Sequence, residues 1–240
     1  MENILLWTAL TLLLAYGIIP SILSRGLGLG VFQRSRTNHE VAFTFDDGPD
    51  PKYTPQLLDL LKKYNIKAAF FVLGSKAEQV PELIIRMHQE GHLIGIHNYV
   101  HRSNWLMTPW TVRRQLNRSA SIIERITGVR PVYYRPPWGL LNLFDFLLHK
   151  KFQVVLWSIM VGDWRSRGGS ERIKRRLLHK MHGGAVIVLH DSGETWGADI
   201  DAPLHTIKAL EDVFKEIRFR DYTCVRIDEM IPLENRIKLS

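Results

Sequence analysis

Several acidic and histidine side chains directly follow short apolar segments of this sequence, where they could bind a cation and transfer a proton. Asp46 and Asp47 come first, after residues 41–45. Adjacent side chains at a strand end point to opposite sides, so one carboxylate can hold a cation while the other faces a bound water. Gly48 and Pro49 then predict a turn, and the alternative at this point is a solvated turn without function.

Two histidines four residues apart, His97 and His101, follow the third apolar segment. On a helical turn, histidines at this spacing project from one face and can bind one metal ion. His88 and His92 have the same spacing, but Gly91 interrupts the helix between them. We therefore do not expect this second pair to share a face.

A third donor, Asp47, would complete the metal site of His97 and His101. One carboxylate and two imidazoles form a facial set that leaves open positions for water and substrate. The sequence therefore predicts a divalent metal site. The donor set suits zinc best, and cobalt, nickel or iron also fit it.

Three more strand ends carry polar or charged side chains. Arg135 precedes two prolines and Trp138, which together predict a stiff loop that could form a groove wall. Asp163 follows the fifth segment, and His190 ends the sixth, where it could act as a general acid. Taken singly, each of these residues could equally be structural.

Seven short β-prone runs alternate with segments in which apolar residues recur every three or four positions. The runs are residues 41–45, 68–73, 92–96, 132–135, 153–157, 185–190 and 222–227. This alternation predicts a parallel sheet, open or closed into a barrel, whose strands all end at the same side. The candidate residues then lie together at that side: Asp46, Asp47, His97, His101, Arg135, Asp163 and His190. A solvated surface does not explain this grouping.

The first 24 residues form a different kind of segment, which we predict to be a transmembrane anchor. From Asn3 to Ser24 there is no charged residue, and the run is long enough to cross a bilayer as a helix. A cleaved secretory signal and a buried core helix are the alternatives. Residues 25–40 are expected to be a connector, residues 41–232 the domain that carries the site, and residues 233–240 a tail.

Composition and charge restrict the partners. The chain has 240 residues, a net charge of +8 and a pI of about 9.7, which favours anionic surroundings such as lipid headgroups or an acidic cell-wall polymer. The basic runs have helical spacing and lack a recognition motif, so nucleic acid is not an expected partner. Cys224 is the single cysteine, which excludes an internal disulfide. Nothing in the sequence indicates an oligomeric state.

Five motifs in order, TFDDG, HNYVH, RPPWG, WSIMVGDW and VLH, resemble those of the polysaccharide deacetylase family, also called the NodB-homology domain or carbohydrate esterase family 4. The resemblance spans about residues 41–230. It implies a distorted seven-stranded (β/α) barrel and a metal-dependent hydrolase that removes N-acetyl groups from N-acetylglucosamine-type residues of a cell-wall or related polysaccharide.

The resemblance also implies a role for each matching residue. Asp46 would be the general base, and Arg135 would orient it. The metal ligands would be Asp47, His97 and His101. The Trp138 amide would bind the oxyanion, His190 would be the general acid, and Asp163 would tune His190. Two positions depart from the family pattern. Asn98 stands where Ser or Thr is usual, and we expect it to hydrogen-bond within the loop. Trp138 stands where Tyr is commoner.

Two alternatives to a polysaccharide deacetylase remain open at this point. The chain could deacylate a lipid-linked or small N-acyl substrate at the membrane, or it could be an inactive module that binds an N-acetylated glycan. Localisation also has two interpretations. Arg25, Arg34 and Arg36 follow the anchor, so the positive-inside rule directs the domain to the cytoplasm. The implied substrate instead favours an extracytoplasmic domain on a single-pass anchor, which is our expectation.

Overall fold

The computed structural model describes residues 2–232, so the expected tail at residues 233–240 lies outside the described residues. Nine strands form one parallel sheet in this part of the chain. They are β1 (Val31–Phe32), β2 (Glu40–Asp46), β3 (Ala69–Val72), β4 (Leu93–Ile96), β5 (Tyr133–Tyr134), β6 (Gln153–Val155), β7 (Ile159–Met160), β8 (Ala185–His190) and β9 (Thr223–Cys224). The ladder order is β1-β6-β5-β4-β3-β2-β8-β7, and β9 pairs with β2.

Seven of these strands coincide with the β-prone runs of the sequence. The other two, β1 and β7, have two residues each and, unlike the equally short β5 and β9, lie outside any β-prone run of the sequence. Strand β1 lies within the expected connector and pairs with β6, while β7 pairs with β8. These two short strands occupy the ends of the ladder order, so they extend the expected sheet without changing its parallel architecture.

Helices connect the strands and cover the outside of the sheet. They are α1 (Glu2–Leu13), α2 (Ile19–Leu27), α3 (Thr54–Lys63), α4 (Gly74–Gln79), α5 (Pro81–Gln89), α6 (Pro109–Thr127), α7 (Gly169–Lys180), α8 (Ala202–Phe219) and α9 (Ile227–Met230). The longest, α6, begins and ends where its sequence indicates. The Thr108 hydroxyl accepts a hydrogen bond from the Thr111 amide, and Gly128 ends the helix with a left-handed φ of 76°.

The sheet is curled, as the reach of one buried side chain demonstrates. Arg135 follows β5, yet its Nη1 lies 2.7 Å from both Thr44 Oγ1 and Asp46 Oδ1 on β2. Strands β3 and β4 separate β5 from β2 in the ladder order. In a flat sheet, three spacings of about 4.8 Å would put the two strands about 14 Å apart, beyond the reach of an arginine. The sheet therefore bends around a buried interior, which Arg135 crosses.

The core has two layers because successive side chains of each strand point to opposite faces. Phe43 and Phe45 of β2 belong to the outer layer beneath the helices. Ala42 belongs to the inner layer, which also contains Phe71 of β3 and Ile227 of α9. Both layers are almost free of solvent exposure. The inner layer supports the end of the sheet from which the polar residues project.

The N-terminal helix packs against the domain through its second half. A π-helical segment, Leu14–Ile18, joins α1 to α2. Pro20 has no N–H to offer the carbonyl of Tyr16 four residues earlier, and the Leu143 amide donates to that carbonyl at 2.7 Å instead. The Ser21 hydroxyl donates to the carbonyl of Leu141 at 2.9 Å. The helix is therefore fixed to the segment that follows β5.

The first half of the same helix is exposed. The large apolar side chains of α1, from Ile4 to Leu13, are 41–71% exposed. The continuous helix from Asn3 to Leu27 is long and apolar enough to cross a membrane, by length and composition. The exposed first half, residues 3–14, is about 18 Å long, so a helix that crosses a hydrocarbon core of about 30 Å must include part of the docked half.

Two glycines on this helix provide a matched test of the docking. A Cβ atom on Gly17 would lie 2.9 Å from the Trp105 ring, whereas a Cβ on Gly26 would meet nothing within 4 Å. We predict that Gly17→Leu lowers the melting temperature of the detergent-solubilised chain by several degrees, because overpacking costs about 1–3 kcal/mol. Gly26→Leu should leave the melting temperature unchanged or raise it. Equal melting temperatures for the two variants would contradict the docking.

Candidate active site

A cavity of about 330 Å³ lies at the carboxyl ends of the central strands. Six of the eight residues singled out from the sequence line it: Asp46, Asp47, His97, His101, Trp138 and His190. The other two, Arg135 and Asp163, lie behind the lining and are almost fully buried. Arg135 contacts the lining residues Asp46 and His97, and Asp163 contacts His190. The structure thus brings all eight together around a single cavity.

Asp47, His97 and His101 converge on one point. Asp47 Oδ1 lies 3.3 Å from His97 Nε2 and 3.4 Å from His101 Nε2. One ligand atom from each residue falls within 4.8 Å of the other two. Two ligands that each lie about 2.1 Å from a tetrahedral zinc ion are about 3.4 Å apart, so the spacing matches a metal site.

The surroundings of these side chains determine which of their facing atoms carry lone pairs. His97 Nδ1 lies 2.7 Å from the backbone oxygen of Arg135, so Nδ1 donates and Nε2 keeps a lone pair. Burial lowers the pKa of His101 to about 4, so its imidazole is neutral at neutral pH. Asp47 Oδ1 has no hydrogen-bond partner among residues 2–232. His97 Nε2 and Asp47 Oδ1 are therefore electron-pair donors, and the neutral His101 adds a third when its ring proton is on Nδ1, which fits a divalent cation.

The charge of Asp47 agrees with this arrangement. Burial by itself raises the pKa of the carboxyl, but His97, 3.3 Å away, and the charge of His190 hold that pKa well below its ordinary value. Its second oxygen, Oδ2, accepts a hydrogen bond of 2.6 Å from Thr195. Asp47 is thus an ionised carboxylate with one oxygen fixed and the other directed at the histidines.

Asp46 is held by a buried ion pair. Arg135 Nη1 donates to Asp46 Oδ1 at 2.7 Å, and neither side chain is more than 4% exposed. The guanidinium also donates to the backbone oxygens of Val155 and Leu156 and lies over the ring of Phe71. A buried charge is stable only when its hydrogen-bond donors have partners and a charge of opposite sign lies nearby. Arg135 therefore fixes the orientation of the Asp46 carboxylate.

His190 and Asp163 form a second charged pair. His190 Nδ1 lies 3.0 Å from Asp163 Oδ1, and the His190 amide donates to Asp163 Oδ2 at 2.8 Å. Thr206 donates to the same oxygen at 3.2 Å. Burial alone lowers the pKa of His190, but the charge and hydrogen bond of Asp163, with Asp47 and Asp46, raise it to about 10. In the metal-free protein His190 is a protonated imidazolium.

The loop after β5 turns sharply at Trp138, whose φ of 55° is left-handed and rare for a bulky residue. The indole packs edge-on against the ring of His101, with centroids 4.2 Å apart. No backbone acceptor is found for the Trp138 amide among the described residues. The amide is therefore available to an oxygen atom in the cavity.

Asn98, which departs from the family pattern, is fully buried between the two histidines and hydrogen-bonds within the loop as expected. Its Nδ2 donates to Asn104 Oδ1 and to the backbone oxygen of Arg102. Its Oδ1 accepts from the Tyr134 hydroxyl at 3.1 Å. The left-handed φ of 64° at Asn98 is thus stabilised by three hydrogen bonds.

Sequence reasoning missed several residues that contact the site. Thr44 lies two residues before Asp46 and shares its face, a signal that could have identified it. Thr195 and Thr206 lie on a loop and a helix after β8, and nothing in their local sequence indicates contacts with aspartates from β2 and the segment after β7. Arg25, from the expected connector, also lines the cavity.

We predict that His190 remains protonated above pH 8 in the metal-free chain, as ring-nitrogen NMR would report. Asp163→Asn should lower its pKa, because burial is then opposed only by Asp47 and Asp46, without the charge and hydrogen bond of Asp163. The raised pKa also means that the pair stabilises the fold fully below about pH 6.5 and that this contribution is lost as the pH rises through about 10. Asp199→Asn, which alters the rim aspartate that pairs with Arg165, is the control. An unchanged pKa of His190 in Asp163→Asn would contradict the assignment.

This chain is similar in sequence to a known protein family and to several characterised enzymes. Residues 33–144 match the family described as Polysaccharide deacetylase. A peptidoglycan-N-acetylglucosamine deacetylase of Bacillus cereus is 34% identical over 193 residues, which cover 80% of this chain and 68% of the relative. The peptidoglycan-N-acetylmuramic acid deacetylase PdaC of Bacillus subtilis is 36% identical over 193 residues, or 79% of this chain, but the match spans only 38% of PdaC.

Solved structures show the same fold. The Bc1960 peptidoglycan N-acetylglucosamine deacetylase superposes with a TM-score of 0.79 at 30% identity, covering 87% of this chain and 95% of that one. Bacillus subtilis PdaA, a family 4 carbohydrate esterase, gives a TM-score of 0.74 at 28% identity and covers 88% of each chain. The predicted distorted (β/α) barrel is therefore confirmed. The motif order, the curled sheet and these relatives agree, and the chain belongs to the polysaccharide deacetylase family.

Proposed function

We propose that this chain is a metal-dependent hydrolase that removes N-acetyl groups from amino-sugar residues of peptidoglycan. The observation that carries the proposal is the arrangement of two charged pairs, Asp46–Arg135 and His190–Asp163, beside one three-donor cluster in a single cavity. Hydrolysis of an acetamide needs a base for water, stabilisation of an oxyanion and an acid for the amine. The cavity contains a candidate for each.

Asp46 is the proposed general base. It lines the cavity next to Asp47, and Arg135 fixes one of its oxygens. In this role it accepts a proton from the attacking water, whose oxygen becomes bonded to the acetyl carbon. Fixing the carboxylate lowers the reorganisation needed for that transfer.

Asp47, His97 and His101 are the proposed metal ligands. A divalent ion bound there would act as a Lewis acid toward an acyl oxygen. Zinc suits one carboxylate and two imidazoles best, although cobalt, nickel and iron also accept these donors. The Trp138 amide offers a second source of oxyanion stabilisation from the opposite loop.

His190 is the proposed general acid. The Asp163 carboxylate holds its Nδ1, which leaves Nε2 as the proton donor toward the cavity. When the C–N bond of the acetamide breaks, the amine leaves with a proton from His190, and the acetyl carbon leaves as acetate. Asp163 maintains the orientation of the ring and the protonated state.

The cavity lining and the named relatives support a glycan substrate. Trp138, Trp164 and Trp196 line the cavity, and Trp196 is 87% exposed. Exposed indole faces suit stacking on sugar rings. The relatives are named for peptidoglycan N-acetylglucosamine and for N-acetylmuramic acid. Either amino sugar carries the acetamide that the cavity chemistry requires.

We further propose that residues 1–24 anchor the chain as a single-pass membrane helix and that the domain acts outside the cytoplasm. The exposed apolar first half of the helix supports the anchor. The cell-wall substrates of the named relatives support the extracytoplasmic side. The docked second half also keeps the cavity close to the membrane. This proximity favours, as a second candidate, a lipid-linked N-acetylated saccharide, which a comparison of turnover on lipid-linked and polymeric substrates would test.

The decisive assay measures acetate release from peptidoglycan fragments by the metal-loaded full-length chain. We predict that Asp46→Asn and His190→Ala each lower the rate by about 10²- to 10⁴-fold, while Asp46→Asn retains bound metal. Chelation should abolish activity, and a divalent ion should restore it. Asp59→Asn, which changes an exposed aspartate paired with Arg86, is the matched control and should keep wild-type activity. Full activity in either active-site variant would overturn its role, and no acetate release by the wild type would overturn the proposed function.

A further inference from the structure

The N-terminal helix forms part of the cavity wall. Arg25, in the last turn of α2, lines the cavity together with Asp46, Asp47 and His101. The docking of the second half of the helix through Gly17, Ser21 and Ser24 fixes where Arg25 emerges, and all three residues are buried. The segment that the sequence presents as an anchor and connector therefore reaches the candidate active site.

The Arg25 guanidinium is directed at the loop of Trp138. Its Nη2 donates to the backbone oxygen of Trp138 at 2.9 Å and lies 3.5 Å from that of Gly139. Its Cζ lies 4.7 Å from the centre of the Trp157 ring. Within the described part of the chain, no carboxylate lies within ion-pairing distance of Arg25. The contacts of Arg25 with the domain are therefore with this loop and the neighbouring indole.

The loop that contains Trp138 and Gly139 has an unfavourable backbone conformation. Trp138 and Gly139 are consecutive left-handed residues, with φ of 55° and 62°. Such a conformation is unfavourable for a residue with a bulky side chain and persists only where surrounding contacts impose it. Gly139 also allows a close approach, since a Cβ atom there would overlap Arg25 Nη2 and lie 2.7 Å from the Trp157 ring. Arg25 donates to the carbonyl of the strained Trp138 and lies 3.5 Å from that of Gly139.

Two routes connect Arg25 to the reacting groups. The first runs through Trp138, which lines the cavity and whose indole packs on His101. The second runs through Trp157, because the guanidinium of Arg135 also lies 5.6 Å from the centre of that ring. Arg135 in turn holds Asp46. Loss of Arg25 would therefore loosen both the oxyanion loop and the support of the base.

We propose that Arg25 is a positioning residue, through which the N-terminal helix completes the active site by holding the Trp138–Gly139 turn. The inference rests on the proposed deacetylase function, because the turn matters through its amide and its contact with a metal ligand. It assigns the helix a role in catalysis in addition to anchoring. Arg25 acts through the loop and need not touch substrate.

The test uses the full-length chain in detergent, with acetate release from neutral N-acetylglucosamine oligomers and from peptidoglycan fragments. We expect Arg25→Met to lower kcat about tenfold, less than the loss of an oxyanion donor itself, with KM within about twofold. Arg25→Lys should give an intermediate kcat, since one ammonium can still donate to the Trp138 carbonyl. Arg34→Met removes the same charge from the connector, outside the cavity lining, and should behave as wild type.

A second measurement separates this inference from the proposed function. Hydrogen exchange of the segment 136–143, followed by mass spectrometry, should be faster in Arg25→Met and unchanged in Arg34→Met, whether or not the chain releases acetate. An inactive wild type would overturn the proposed function but leave this readout intact. Unchanged exchange and kcat in Arg25→Met would overturn the inference. So would a rise in KM for anionic fragments at constant kcat, because that result would make Arg25 a substrate-binding residue.

Discussion

A carboxylate oxygen and two imidazole nitrogens that face one another are the constraint on which the site depends. Asp47 is ionised, His101 is neutral, and His97 uses its only ring proton on the carbonyl of Arg135. Three ligand atoms within 4.8 Å of one another, with both imidazole nitrogens 3.3–3.4 Å from the Asp47 oxygen, form an arrangement that a cation between them would stabilise. The fold holds them there through short loops after β2 and β4. Cation binding and the geometry of the domain are therefore coupled.

The charges around this cluster follow from the same requirement. The buried Arg135 pairs with Asp46, and His190 pairs with Asp163, so each flanking carboxylate or imidazolium has a partner of opposite sign. The two pairs come from strands on either side of the three donors. Strain accompanies this arrangement, since Asp47 and Trp138 both have left-handed backbones. Backbone strain at a site persists where the surrounding hydrogen bonds impose it, and here those bonds come from distant segments of the chain.

Much of this site could be predicted from the sequence because parallel strands end at one side of a sheet. That rule grouped Asp46, His97 and His190, which are far apart in the chain, and the motif order then identified the family. The contacts of Arg25 and Thr195 could not be predicted, because they depend on how a helix and a loop fold back onto the site. An apolar run predicts a membrane helix by its composition. Its composition gives no indication that half of that helix packs on the domain.

The sheet likewise combines strands that the sequence predicts with features that depend on tertiary contacts. Strand β2 was predictable because it is long and apolar, whereas β1 and β7 are defined by pairing with β6 and β8 alone. The curl of the sheet is likewise a tertiary property. It becomes evident only when Arg135 reaches Asp46 across the interior.

The central claim, that one carboxylate and two imidazoles bind a divalent ion, is tested most directly by metal analysis with X-ray absorption spectroscopy of the purified full-length chain after reconstitution. The account predicts one ion per chain with nitrogen and oxygen ligands, loss of that ion in His101→Ala, and its retention in His88→Ala. A folded wild-type chain that binds no ion, or a His101→Ala chain with the same ion and coordination, would contradict the account.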